Sequence, residues 1–218
     1  MSIVYVIRHA EKSQDGGLTI QGTREALDYG RMLAEQYQGF KIIANSSEIE
    51  RATLTAELIM EGAGTKYNRS DTLDEKLFLG YTSEEIEAIK ASKEKTLYQK
   101  AVDAVPEKTE ERAQDISKYV LEHLANDEYT VYVGVTHSPI IEAYAKRLTD
   151  DKKAEQDPGS LQGIIVEDNK AELKYAGIEA ELTNNEDENE ETANNENNYN
   201  CIQENYQTEQ QESEGAQE

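Results

Sequence analysis

The sequence predicts an α/β fold: a three-layer sandwich with a mostly parallel central sheet flanked by helices, followed by a disordered acidic C-terminal tail. Three observations point to it. Short β-branched runs stop abruptly at polar residues, helical patterns separate them, and the composition changes near residue 178. Residues 3–7 (IVYVI) form the first run, a buried strand that delivers Arg8 and His9 at its C-terminal end. Gly16-Gly17 mark a loop. From about 20 to 37, Ala26, Leu27, Leu33 and Ala34, with Tyr29 and Tyr37, recur at helical spacing. Residues 41–44 predict a second strand. Ser47-Glu48-Ile49-Glu50 then reads as a capping box, with Ser47 as the cap of a helix that runs to about Met60 and carries Arg51 in its first turns. A weak strand is expected over 66–70. The stretch 82–126 reads as almost wholly helical, broken near Pro106. Residues 129–136 (YTVYVGVT) are the most strand-like run and stop at His137, after which Pro139 suits the first turn of a helix to about Leu148. Residues 164–167 and 171–175, separated by Asp168-Asn169-Lys170, read as a closing hairpin. Ligands in such sheets bind at the carboxyl ends of the strands.

Charge divides the chain into two parts. Its 218 residues carry 22 Lys+Arg and 45 Asp+Glu, a net charge of -23. Residues 179–218 hold 13 of the acids and no Lys or Arg, leaving 1–178 at -10. We therefore expect a folded domain over 1–178 and a disordered Asn/Glu/Gln-rich tail over 179–218, because the tail has too little apolar surface to offset chain entropy. A solubilising appendage, an electrostatic brake on anionic substrates and a partner-binding arm are the roles this composition allows. The acidic surplus argues against a nucleic-acid binder, since phosphates are held mainly by Lys and Arg. One cysteine, Cys201, excludes an intramolecular disulfide framework, and the N-terminal apolar stretch is too short for a membrane span. A soluble protein of the cytoplasm, without membrane or nucleic-acid partners, is expected.

The chemistry gathers at strand ends. His9 and His137, two of only three histidines, should share one edge of the sheet with Arg8 and Arg51. Two guanidiniums and two imidazoles there would make an electropositive pocket inside an acidic protein. Arg suits a phosphate because its planar fork donates bidentate hydrogen bonds and keeps its charge. A basic residue opening a helix also opposes the helix dipole, so Arg51 wants a reason other than helix stability. His123 has no such placement and reads as a surface residue. No Cys/His metal cluster is present in the sequence.

In order, Arg8-His9-Ala10-Glu11, Leu18-Thr19-Ile20-Gln21-Gly22, Ser46-Ser47 to Arg51-Ala52 with Thr55-Ala56, Leu73-Asp74-Glu75 and Thr136-His137-Ser138 resemble the motifs of the histidine phosphatase superfamily, also called phosphoglycerate-mutase-like. The resemblance spans residue 3 to about 175. It implies that His9 is the nucleophile and is transiently phosphorylated, and that Arg8, Arg51 and His137 form the phosphate pocket. A carboxylic acid protonates the leaving oxygen, with Glu75 the first choice and Asp74 and Glu11 the others. No metal or organic cofactor is implied. Ala10 stands where many members have glycine, which points to a phosphatase-type branch, and the charged stretch between Glu75 and His137 does not match the glycolytic mutases in detail. Glu107 and Arg112 loosely resemble an acid-to-arginine pairing there, but a solvated helix face explains them better. The expected activity is hydrolysis of a phosphomonoester on a small molecule or phosphoprotein. A mutase-type phosphotransferase and a non-catalytic phospho-ligand binding protein are the alternatives.

Overall fold

The computed structural model describes residues 1–67, 73–126 and 129–182, and the sheet fixes everything else. β1 (Ser2–Arg8) lies between β3 (Thr130–Thr136), which runs parallel to it, and β4 (Gly163–Glu167), which runs antiparallel. β2 (Lys41–Ser46) pairs parallel with β3 on its other side, while β5 (Lys170–Leu173) and β6 (Ile178–Glu181) extend the β4 edge antiparallel. The order is β2-β3-β1-β4-β5-β6. The sheet is thus mixed: a parallel half, β2-β3-β1, joins a short antiparallel meander. The predicted closing hairpin gains a third strand, and residues 179–181, assigned from composition to the tail, pair with β5 in it. The remainder of the expected tail, 183–218, lies outside the described residues.

Helices cover both faces. β1 is buried along residues 2–7 because its side chains alternate between two packed layers. Ile3, Tyr5 and Ile7, with Val131, Val133 and Val135 of β3, meet α1 (Ile20–Gln36) and α2 (Glu50–Gly62). Val4, Val6 and Tyr132 face the other way, onto α5 (Pro106–Leu124) and α6 (Ile140–Leu148). α1 and α2 approach closely through reciprocal glycines. A Cβ on Gly30 would lie 2.0 Å from the Ile59 carbonyl oxygen, and one on Gly62 would lie 2.1 Å from that of Leu27.

The stretch over 82–126, expected to be helical with one break near Pro106, is three helices: α3 (Ser83–Ala91), α4 (Leu97–Ala104) and α5, which opens at Pro106 as expected, so the added break lies between α3 and α4. The break after α3 comes at Ser92, which is extended, and Thr96 then caps α4 by accepting from the Gln99 N–H. Residues 66 and 67 form no strand, and the rest of the strand expected over 66–70 lies outside the described residues. His123 is not a bare surface group. Its ring packs 4.2 Å from that of Tyr119 and 4.3 Å from that of Tyr132, and its Nδ1 donates to the Tyr119 carbonyl at 2.8 Å.

Candidate active site

Three parallel strands end at one edge, and each delivers a polar pair there. The ladder continues past the strands: the His9 N–H donates to the Thr136 carbonyl at 3.1 Å, and the Ser47 N–H to that of Val135 at 3.1 Å. His9 and Ser47 are thereby fixed to the end of β3, and His137 follows directly on that strand, its carbonyl accepting from the Ile140 N–H at 3.1 Å, so all three sit on rigid elements.

The side chains interlock. Arg51 donates from Nε to His9 Nε2 at 2.9 Å and from Nη2 to His137 Nδ1 at 3.3 Å. The two imidazole centroids are 5.2 Å apart. Both tautomers follow, because a guanidinium only donates and a carbonyl only accepts. His9 carries its proton on Nδ1, bonded to the Ala10 carbonyl at 2.7 Å, and keeps a lone pair on Nε2. His137 carries its proton on Nε2 and donates it to Ser47 Oγ at 2.7 Å. Arg8 donates to the Pro158 carbonyl at 2.6 Å, and its charge reaches His9, His137 and Arg51.

Burial sets the charge state. His9 is 5% exposed, and that desolvation pushes its pKa down to about 4, with Arg51 and Arg8 adding to the effect. Burial likewise holds His137 well below the ordinary imidazole value, followed by the charge of Arg51. Desolvation lowers Arg51 as well, with Arg8 beside it. The edge therefore presents neutral imidazoles beside fixed cations, an arrangement suited to an anion.

The Leu18-Thr19-Ile20-Gln21-Gly22 segment supports this edge. Thr19 caps α1 by accepting from the Gly22 N–H at 2.9 Å, and Gly22 lets the helix approach the chain after His9, since a Cβ there would meet the Glu11 carbonyl oxygen at 2.5 Å. Thr55 on α2 accepts from the Ala10 N–H at 3.0 Å, tying that helix to the His9 turn.

The three carboxylates differ. Glu11 accepts from Thr19 Oγ1 at 2.6 Å, and Asp74 accepts from the Lys76 N–H at 2.9 Å. Glu75 opens a 3-10 turn, Glu75–Leu77, that is bound to the end of β2 through the Asp74 N–H and the Ser46 carbonyl at 3.1 Å. Its side chain is exposed and makes no hydrogen bond or ion pair to the described residues.

Ser47 corrects the sequence reading. Helix α2 starts at Glu50 with Ile49 in the capping position and no side-chain cap. The hydroxyl expected to cap that helix is spent on His137 instead. The S-x-x-E pattern is present locally but unused, because a buried imidazole N–H is the costlier group to leave unpaired. Among the described residues, no group of three or more His, Cys, Asp or Glu could hold a metal ion, and no helix is long and apolar enough to cross a membrane.

Fold and site together define a class, α/β proteins that gather paired imidazoles and guanidiniums at the carboxyl edge of a sheet. The chain belongs to the histidine phosphatase superfamily (branch 1), whose family model matches residues 4–179. Members of that superfamily are phosphatases and mutases. Solved structures with the same fold include a phosphoglycerate mutase from Bacillus anthracis, at 18% identity and TM-score 0.52, covering 83% of this chain and 91% of that one. A mycobacterial glucosyl-3-phosphoglycerate phosphatase matches at 20% identity and TM-score 0.52, covering 76% and 89%. The product of open reading frame Rv3214 of Mycobacterium tuberculosis matches at 19% identity and TM-score 0.55, covering 81% and 97%. No curated protein matches the sequence.

Proposed function

We propose that this chain is a phosphomonoesterase working through a phosphohistidine at His9. The observation that carries the reading is the state of His9: a buried neutral imidazole with Nδ1 committed to Ala10 and an unprotonated Nε2 facing Arg51. A substrate phosphate draws Arg51 and Arg8 onto its oxygens, with His137 lining the pocket beside them, and the Nε2 of His9 attacks phosphorus in line with the leaving oxygen. The P–O bond to the alcohol breaks as the N–P bond forms, and Glu75 gives the alcohol its proton. Glu75 is favoured over Asp74 and Glu11 because each of those already spends one oxygen on a neighbour while its own side chain is exposed and unengaged by the described residues. Water then attacks the phosphohistidine, returns a proton to Glu75 and releases inorganic phosphate. The guanidiniums neutralise the developing charge, so the reaction as drawn uses no cofactor.

Hydrolysis is preferred to phosphoryl transfer on two grounds. Ala10 stands where many members of the family have glycine, and the segment between Glu75 and His137 holds three helices whose sequence does not match the glycolytic mutases in detail. The substrate is a phosphorylated small molecule or phosphoprotein rather than nucleic acid or membrane. A cytoplasmic setting suits a chain with one cysteine. The test is turnover of an aryl phosphate by the wild type and by His9→Ala, with phosphoglycerate as a competing acceptor. Release of inorganic phosphate that His9→Ala abolishes supports the reading. Transfer to the added acceptor in place of water would make the chain a mutase.

A further inference from the structure

Glu142 is a buried carboxyl that the proposed mechanism does not use. It lies on α6 amid Ile140, Ile141, Ala143 and Tyr144 and is 0% exposed. One oxygen accepts from the Ser138 hydroxyl, next to His137, and the other is buried with no N–H or O–H donor against it. The carboxyl of Asp157, an exposed residue that also accepts from the Leu97 N–H at 3.4 Å, meets it from the 157–162 segment that packs beside Arg8. That segment grips Arg8 at three points. The Pro158 carbonyl accepts from its guanidinium at 2.6 Å, the Gln162 carbonyl accepts from its N–H at 2.9 Å, and the Leu161 N–H donates to its carbonyl at 3.2 Å. Leu161 adopts a φ of 58°, a left-handed conformation that a non-glycine residue holds only where its surroundings insist on it.

We propose that Glu142 is a positioning residue for the phosphate pocket, its carboxyl tying the Ser138 end of the His137 turn to the 157–162 segment that aims Arg8. The idea rests on the functional reading above, since it concerns the geometry of that same pocket. Such a tie works only while Glu142 keeps its proton and can donate it to the facing carboxyl oxygen. Burial, and then Asp157, push the Glu142 pKa up to about 8, so the acid form holds the two ends together near neutrality and ionisation drives them apart. The other titratable groups that feel Glu142 are Tyr81 before α3 and Tyr175 in the β5–β6 turn, and burial raises both. The charged groups that α5 and the Lys152–Glu155 turn bring to α6, Glu110 with Arg147 and Glu155 with Lys146, sit on its last turn.

The test is binding of inorganic phosphate by the full chain as a function of pH, in wild type, Glu142→Gln and Glu142→Ala, beside labelling of His9 by an aryl phosphate. In the wild type, affinity should fall by about tenfold between about pH 7 and pH 9, the limit for one proton taken up with the ligand above the pKa. Glu142→Gln, neutral at every pH, should match the wild type near neutrality and lose that alkaline fall. Glu142→Ala should bind weakly throughout, by up to about a hundredfold, with the loss in KM more than in kcat. An alkaline fall unchanged in Glu142→Gln overturns the proposal even if Glu142→Ala fails to fold. Wild-type phosphate affinity in a folded Glu142→Ala overturns it too. A wild type that neither labels nor binds phosphate defeats the functional reading itself, whereas labelling with an unaltered Glu142→Gln profile defeats only the role of Glu142.

Discussion

Ser47 holds the proton of His137 in place, and with it the lone pair that His137 turns to Arg51. Removing the hydroxyl leaves a buried N–H without a partner, which costs about 1–3 kcal/mol. Ser47→Ala should therefore lower kcat/KM roughly tenfold or more, read from initial rates on an aryl phosphate, with a drop in urea midpoint of matching sign. His9 makes the sharper prediction. Because desolvation lowers its pKa to about 4, its ring should titrate near 4 by NMR rather than near its ordinary 6.5. Arg51→Ala takes away a cation and opens the site, so the same titration should move upward. A midpoint that stays at about 4 in that variant would show that Arg51 does not act on His9.

The elements explain why some of this was legible and some was not. β1 and β3 could be read because a strand packed on both faces is an unbroken apolar run, and such a run ending in Arg8-His9 or His137 marks the carboxyl edge. The interruption between α3 and α4 could not, since residues 92–96 are as charged and polar as the helices around them. Ser47 was misassigned because a capping pattern is local while its true partner lies 90 residues away. Composition alone does not set Glu142 apart in a chain with 45 acids. Its signal is an acid inside the apolar run Ile140-Ile141-Glu142-Ala143-Tyr144, at a position every neighbour says is buried. The contact of α1 with α2 yields its own prediction. Gly30→Ala places a methyl group 2.0 Å from the Ile59 carbonyl oxygen, so the helices must separate and stability should fall by about 1–3 kcal/mol, measured by urea unfolding. Unchanged stability would mean that the α1–α2 approach is looser than described.

For the molecule as a whole, buried ionisable groups tilt stability in both directions. His9 and His137 have pKa values lowered from 6.5, so the unfolded chain binds their protons more readily. Their contribution is complete above about pH 6.5 and is lost as pH falls, for His9 through about 4. Glu142 is raised from 4.5 to about 8, so its contribution is complete below 4.5 and is lost as pH rises through 8. Urea midpoints across this range should fall at both ends, and Glu142→Gln should flatten only the alkaline side. The catalytic claim turns on one bond. Brief reaction with a radiolabelled aryl phosphate and quenching in denaturant should leave acid-labile, base-stable label on the chain, mapped to His9 and absent from His9→Ala. Label that survives acid, or that persists in His9→Ala, would contradict the account.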